Sequence, residues 1–261
     1  MSALALLSAH GVAKQFGGLK ALDQVDMDVQ RGSIHGLIGP NGSGKTTMLN
    51  VLSGVYQLAA GSIVFAGTEL AGAPAHRIAA AGIARTFQNL RLFKDLTVVE
   101  NVLIGRHPHL GYGFGALFLQ RHGAAERRAR ERAHELVRSV GLAHRATARA
   151  GDLPYGEQRL VEIARALALD PKLLLLDEPL VGMNPSEVDR VVGLFERIRA
   201  AGSTLLLVEH SMRVVMSICE RITVLNFGRR IADGTPAEIR GNADVISAYL
   251  GQGREKKRRK T

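Results

Sequence analysis

With 261 residues, 46% hydrophobic and 22% charged, the chain suits one large α/β domain or two small ones and is too apolar for a disordered polymer. A single cysteine, Cys219, excludes an internal disulfide and a multi-thiolate metal site, and 5% aromatics without Trp argue against a broad base-stacking surface. The formal charge of +10 is uneven: the last eight residues, REKKRRKT, hold six basic side chains and one acidic, which reads as a solvated tail, with weak attraction to anionic lipid or nucleic acid as the sharper alternative.

The start, MSALALLSAHGVAKQF, lacks the basic and long apolar regions of a secretory signal, and no apolar run reaches the roughly 18–20 residues of a spanning helix. The expectation is an intracellular, soluble chain able to dock on a membrane protein. Residues 4–30 alternate apolar and polar positions and read as an antiparallel hairpin region. SIHGLIG, 33–39, is a short apolar strand, and PNGSGKTT follows it into the helical spacing of MLNVLSGV. GSIVFAG, 61–67, is a further strand between glycines. A helix begins in 74–86, and Thr97 with Glu100 forms a capping-box pattern ahead of another. Residues 107–123, rich in Gly and aromatics, are a surface element or a contact with a membrane partner. The charged run AAERRARERAHELVRSVGL is a solvent-facing helix supported by Glu126 and Arg130.

From residue 152 onward the alternation of helix and short apolar strand is regular. A turn leads into a helix over 152–169, beginning near Glu157, and a strand covers 172–177. Helix, the strand TLLLVEH, helix and the strand RITVLNFG follow. GRRIADG is a hairpin return, and Thr235 with Pro236 opens a C-terminal helix. This alternation predicts a mainly parallel α/β sheet, with the mostly helical stretch 92–165 as an insertion. The division expected is one domain over 1–253. Its core covers about 1–91 and 166–235, its helical subdomain 92–165 and its C-terminal helices 236–253; the basic tail is 254–261.

GPNGSGKTT, residues 39–47, fits G-x-x-x-x-G-K-[ST] between a strand and a helix, the context that makes the match count. Gly39, Pro40, Asn41, Gly42, Ser43, Gly44, Lys45, Thr46 and Thr47 would then wrap phosphates. Backbone N–H groups form the nest, Lys45 supplies charge, and the Thr46 hydroxyl can bind Mg²⁺. LLLLDEP is a strand buried on both faces that delivers Asp177 to the ligand edge of the sheet. Asp177 suits a water-mediated Mg²⁺ contact, and Glu178 can polarise an attacking water. TLLLVEH brings His210 to the same edge. These residues alone point to an ATP or GTP hydrolase needing Mg²⁺.

TFQN at 86–89, LPYGEQRLVEIARAL at 153–167, DEPLVGMNP at 177–185 and His210, together with the phosphate loop, resemble the nucleotide-binding subunits of ABC transporters. The resemblance runs from about residue 7 to 252. It implies a P-loop, RecA-like core with an N-terminal antiparallel β region and a helical subdomain. It also implies that Phe16 stacks on adenine, that Gln88 touches Mg²⁺ and the attacking water, and that Glu178, His210 and Gln88 serve hydrolysis. Tyr155, Gly156 and Glu157 would meet the ATP of a second, identical or different, ATPase subunit. The details are most similar to branched-chain amino-acid importers, with urea and short-chain amide importers as the neighbouring reading. Partners implied are integral membrane permease subunits and, indirectly, a periplasmic or extracellular binding protein, with no specific nucleic acid. The implied place is the cytoplasmic face of the inner membrane. Two positions depart from the wider family: Pro154 and Tyr155 stand where Ser and Gly are usual, and Asn184 where Asp is usual.

Overall fold

The computed structural model describes residues 5–106 and 123–249. All of the 107–123 stretch but Gly123, and the basic tail 254–261, lie outside them. The N-terminal hairpin is β1 (Ala5–Phe16) and β2 (Leu19–Gln30). β1 also pairs antiparallel with β4 (Ala60–Phe65), and β5 (Thr68–Glu69) completes a four-stranded sheet in the order β2-β1-β4-β5. The expected hairpin is thus one half of a larger antiparallel layer.

The second sheet contains β3 (Ile34–Ile38), β6 (Ile83–Arg85), β7 (Leu173–Asp177), β8 (Thr204–Val208), β9 (Arg221–Asn226) and β10 (Arg229–Gly234). Their order is β10-β9-β3-β8-β7-β6, parallel from β9 to β6, with β10 antiparallel at one edge. The unbroken leucines of β7 and β8 follow from burial on both faces. Leu174, Leu176, Leu205 and Leu207 face one core cluster; Leu173, Leu175, Leu206 and Val208 face the other. All eight are fully enclosed, so a Leu→Ala change there costs about 2–5 kcal/mol.

One core lies between the parallel sheet and the antiparallel layer, with α1 (Lys45–Leu52) and α2 (Ala75–Ala81) beside it. The other lies beneath α3 (Val98–Gly105), α4 (Ala124–Ser139), α5 (Tyr155–Leu167), α6 (Pro185–Ala200) and α7 (Met212–Ile218). α8 (Pro236–Gly241) and a helical stretch at 243–249 follow β10. Helices α3, α4 and α5 fall between β6 and β7 in the chain, and α3 packs on both others. Gly105 sits so close to α5 that an added Cβ would come within 2.3 Å of the Arg165 carbonyl oxygen. Cys219 is buried, and burial pushes its thiol up to about 12, in keeping with a hydrophobic role.

Candidate functional site

β3 ends in a loop that only glycine can build. Gly39 has φ 150°, and a Cβ there would lie 2.1 Å from the Leu225 carbonyl oxygen. Gly44 has φ 108° and caps α1 from the left-handed region, with no side-chain acceptor for the first-turn N–H groups. Those free donors and the helix's positive end face the same cleft. Lys45 folds back, donating from Nζ to the carbonyls of Gly39 at 2.8 Å and Pro40 at 3.0 Å. Burial lowers its pKa, and the charges of Glu178 and Asp177 oppose that shift. The loop lysine and both carboxylates therefore share one electrostatic neighbourhood. A cleft of about 380 Å³ opens above the loop, lined by Gly42, Ser43, Gly44, Lys45, Thr46 and Thr47 on one side. Phe16, Leu19 and Phe227 line its apolar part.

Phe16, half-exposed, stands edge-on to Tyr56 at 5.2 Å between ring centroids, with the Lys14 ammonium 5.0 Å from its own ring. Both contacts hold an exposed ring in place at the cleft mouth.

At the end of β7 the chain turns sharply. Asp177 completes the ladder with Val208 and is buried. Glu178 adopts φ 50°, a left-handed conformation uncommon for a side chain of its kind, with its N–H on the Val208 carbonyl at 2.9 Å. Strain of this sort persists only where the surroundings impose it. The turn leaves Asp177 inside and swings the Glu178 carboxylate to the sheet edge. There Gln88 Nε2 donates to one oxygen at 3.1 Å and His210 Nε2 lies 2.8 Å from the other. Two residues from two other connections thus meet on one carboxylate.

Asp177 is held by a residue that spacing alone does not single out. Arg85 Nη2 donates to its Oδ2 at 3.0 Å, and Arg85 Nη1 reaches Asn50 and Ser53 on and after α1. Burial raises the Asp177 pKa against the lowering effect of Arg85. Its second oxygen, Oδ1, is buried without a hydrogen-bond partner, as is the Ser43 hydroxyl. Orphaned acceptors of this kind are costly unless something binds them.

A second buried device grips the chain beside Gln88. Arg159, on α5 and 2% exposed, donates to the carbonyl of Phe87 at 2.6 Å and to that of Gln88. It also pairs with Glu162 at 3.0 Å and with the Tyr155 hydroxyl at 2.8 Å. Glu162 in turn accepts from the Phe87 N–H at 3.1 Å. Burial raises the Glu162 pKa, opposed by that N–H and by Arg159. The backbone of 87–88 is thereby fastened to α5. The visible signal was two charges, three residues apart, on the apolar face of a helix. Glu209 plays a similar part below His210: it accepts from the N–H groups of Leu180 at 2.8 Å and His210 at 3.0 Å.

The helix after the LPYGEQ turn begins at Tyr155, two residues ahead of the expected Glu157. Pro154 is its N-cap, with φ −54° and ψ 150°; proline's fixed φ fits that place and its missing N–H is not needed there. No side-chain cap closes this end. The Tyr155 ring flanks Gly182, where an added Cβ would lie 3.3 Å from it, and a Cβ on Gly156 would meet the Glu187 carboxylate at 3.1 Å. Glu157 pairs with Arg145 at 3.2 Å. Asn184 is the N-cap of α6, accepting from the Glu187 N–H at 3.1 Å while Glu187 accepts from the Asn184 N–H at 2.8 Å. The amide therefore does at this position what an aspartate cap would do locally.

The structure brings Gln88, Glu178, His210, Asp177 and Lys45 to one sheet edge. Tyr155, Gly156 and Glu157 lie apart from it on the start of α5, Tyr155 exposed and the other two half-buried.

The chain matches two family models. The ABC transporter model covers residues 22–181, and the model described as branched-chain amino acid ATP-binding cassette transporter covers residues 229–255. It is 45% identical over 250 residues to the high-affinity branched-chain amino acid transport ATP-binding protein BraF of Pseudomonas aeruginosa, spanning 95% of this chain and 98% of the relative. LivG of Escherichia coli, of the same description, is 43% identical over the same shares. Among solved structures, the ADP conformation of MJ1267, an ATP-binding cassette of an ABC transporter, superposes with a TM-score of 0.84 at 31% identity. That match covers 95% of this chain and 99% of the other.

Proposed function

The chain belongs to the ABC transporter family of ATP-binding ATPases, and from that premise we propose that it powers the import of branched-chain amino acids through partner membrane subunits. What carries this reading is the meeting of Gln88, Glu178 and His210 beside Lys45, in a chain so similar along its length to BraF and LivG. The match of residues 229–255 to the branched-chain model supports the substrate class.

In this reading the phosphate loop and the first turn of α1 hold the phosphates of ATP. Phe16 meets the base. The Glu178 carboxylate orients a water for attack on the γ-phosphorus and accepts its proton as the bond to the β–γ bridging oxygen breaks. Gln88 and His210 fix the carboxylate from both sides, and Glu209 fixes the His210 backbone. Thr46, Gln88 and Asp177 would hold Mg²⁺, and the unpartnered Asp177 oxygen fits that demand. The ion supplies charge neutralisation at the β- and γ-phosphates.

The bare start of α5 would serve the ATP of a second ATPase subunit, so that two chains close two nucleotides between them. Backbone N–H groups of Tyr155 and Gly156 and the helix dipole carry that contact, since Pro154 has no hydroxyl. Among the described residues no helix is long and apolar enough to cross a membrane. The proposed place is the cytoplasmic face of the inner membrane, on permease subunits fed by a binding protein.

The test is reconstitution of the chain with its membrane and binding-protein partners. Leucine, isoleucine or valine should drive ATP-dependent uptake. Uptake of urea or short-chain amides instead, with none of these amino acids carried, would overturn the substrate assignment.

A further inference from the structure

The turn between β9 and β10 violates two rules at one residue. Asn226 and Arg229 face each other across a two-residue loop, and Phe227 and Gly228 both have positive φ, 46° and 76°. A hairpin loop of this type favours Asn, Asp or Gly at its first position, because a bulky side chain is strained there. Phe227 is also 84% exposed, more than any other large hydrophobic side chain among the described residues. Strain and exposure together mark a residue placed for something outside the fold.

The turn is fastened to the phosphate loop. The Gly228 N–H donates to the Ser43 carbonyl at 3.0 Å, and the Gly228 carbonyl accepts from the Asp23 N–H at 2.8 Å. A Cβ on Gly228 would lie 2.8 Å from the Ala21 carbonyl oxygen, so the close approach requires glycine. Arg229 pairs with Asp23 at 2.6 Å, tying the same turn to β2. Phe227 therefore projects from a rigid base, and it lines the cleft of about 380 Å³ that Phe16, Leu19 and the phosphate loop also line. Phe16 and Leu19 are likewise exposed. Three solvent-facing apolar side chains around one cleft form a surface that a flat, apolar ring would cover.

We propose that Phe227 is a second aromatic contact for the nucleobase, forming with Leu19 an apolar wall in addition to Phe16. The proposal rests on the nucleotide reading above and adds to it a residue that sets affinity for the base rather than for the phosphates. The strain at Phe227 is then the cost of holding that ring over the cleft before nucleotide arrives.

Calorimetric titration of the whole chain with ADP and with pyrophosphate separates the two contributions. Phe227→Ala and Phe227→Asn should weaken ADP about tenfold and leave pyrophosphate affinity unchanged, and Phe227→Tyr should restore ADP binding. The ligand-free Phe227→Asn protein should melt no lower than the parent, because Asn suits the left-handed turn. Unchanged ADP affinity in Phe227→Ala would overturn the proposal. So would equal loss of ADP and pyrophosphate, which would mean the residue acts through the phosphate loop. If the parent chain binds pyrophosphate and fails to bind ADP, the base subsite itself is absent; if it binds neither, the nucleotide reading falls and this proposal with it.

Discussion

The start of α1 is wrapped by its own loop. Gly44 caps it in the left-handed region, Lys45 folds back onto two loop carbonyls, and the carboxylates of Asp177 and Glu178 stand close by. The start of α5 has none of this. Like α1 it has no side-chain cap, but Pro154 stands where α1 has a left-handed glycine, its Tyr155 ring is 43% exposed, and its first turn carries an acid of its own, Glu157, with Glu187 against Gly156. By contrast, α3, α6 and α8 are closed by complete capping boxes. A helix start enclosed by lysine and glycines can hold a phosphate alone. A start that is bare and exposed can add donors to an anion that something else holds. On the function proposed above, this difference assigns α1 to the chain's own nucleotide and α5 to a partner's.

The sharpest way to break the first half of this contrast is Glu178→Gln. Removing the base should cut turnover by at least about 100-fold while nucleotide still binds, read from steady-state hydrolysis and ADP titration on one preparation. Near-normal hydrolysis would remove Glu178 from the chemistry. Arg159 tests what joins the two regions, because it grips the backbone of Gln88 from α5. Arg159→Met leaves Glu162 buried without its partner and should cost about 3–5 kcal/mol, measured by denaturant unfolding. Arg159→Lys keeps the charge without the fork and should recover part of that loss.

Asn184→Ala probes the loop beside the α5 start. Losing the cap of α6 should cost about 1 kcal/mol, seen as a lowered denaturation midpoint. Glu100 offers a smaller effect at the capped end of α3. The Thr97 N–H and hydroxyl hold its carboxyl below the usual carboxylate range. Its contribution is complete above the ordinary glutamate value and disappears as pH falls through the lower folded one. Glu100→Gln should therefore flatten the acid limb of the stability profile slightly. Pro154→Ser should change turnover least of all, since serine is also a good N-cap.

Much of this was readable from residue order. The phosphate loop shows itself by glycines between a strand and a helix. The parallel strands show themselves by leucine runs too short for helices, Thr97 by its glutamate three residues on, and Thr235 by the proline that follows it. Other parts depend on which segments come together. Arg159 shows in the sequence only as a charge on an apolar helix face, and its partner is a backbone segment 72 residues earlier. Arg85 and Asp177 are 92 residues apart. Phe227 looks like the last apolar residue of a strand, and only the two positive φ angles place it in the turn. Asn184 stands where Asp is usual, and its retained acceptor caps α6. The LPYGEQ turn was read two residues short because proline before a helix fits both the N-cap and the turn preceding it.

On the proposed function, one helix start serves the chain's own nucleotide and the other serves a partner's. Gly156→Asp tests it most directly, by placing a carboxylate on the bare α5 start beside Glu187. ADP affinity and ATP turnover should be measured on the same protein, assembled with its transporter partners. Unchanged ADP affinity with turnover reduced at least about 100-fold is the expected result. Full turnover would mean that the α5 start takes no part in hydrolysis, and loss of ADP binding along with turnover would mean that it serves the chain's own site.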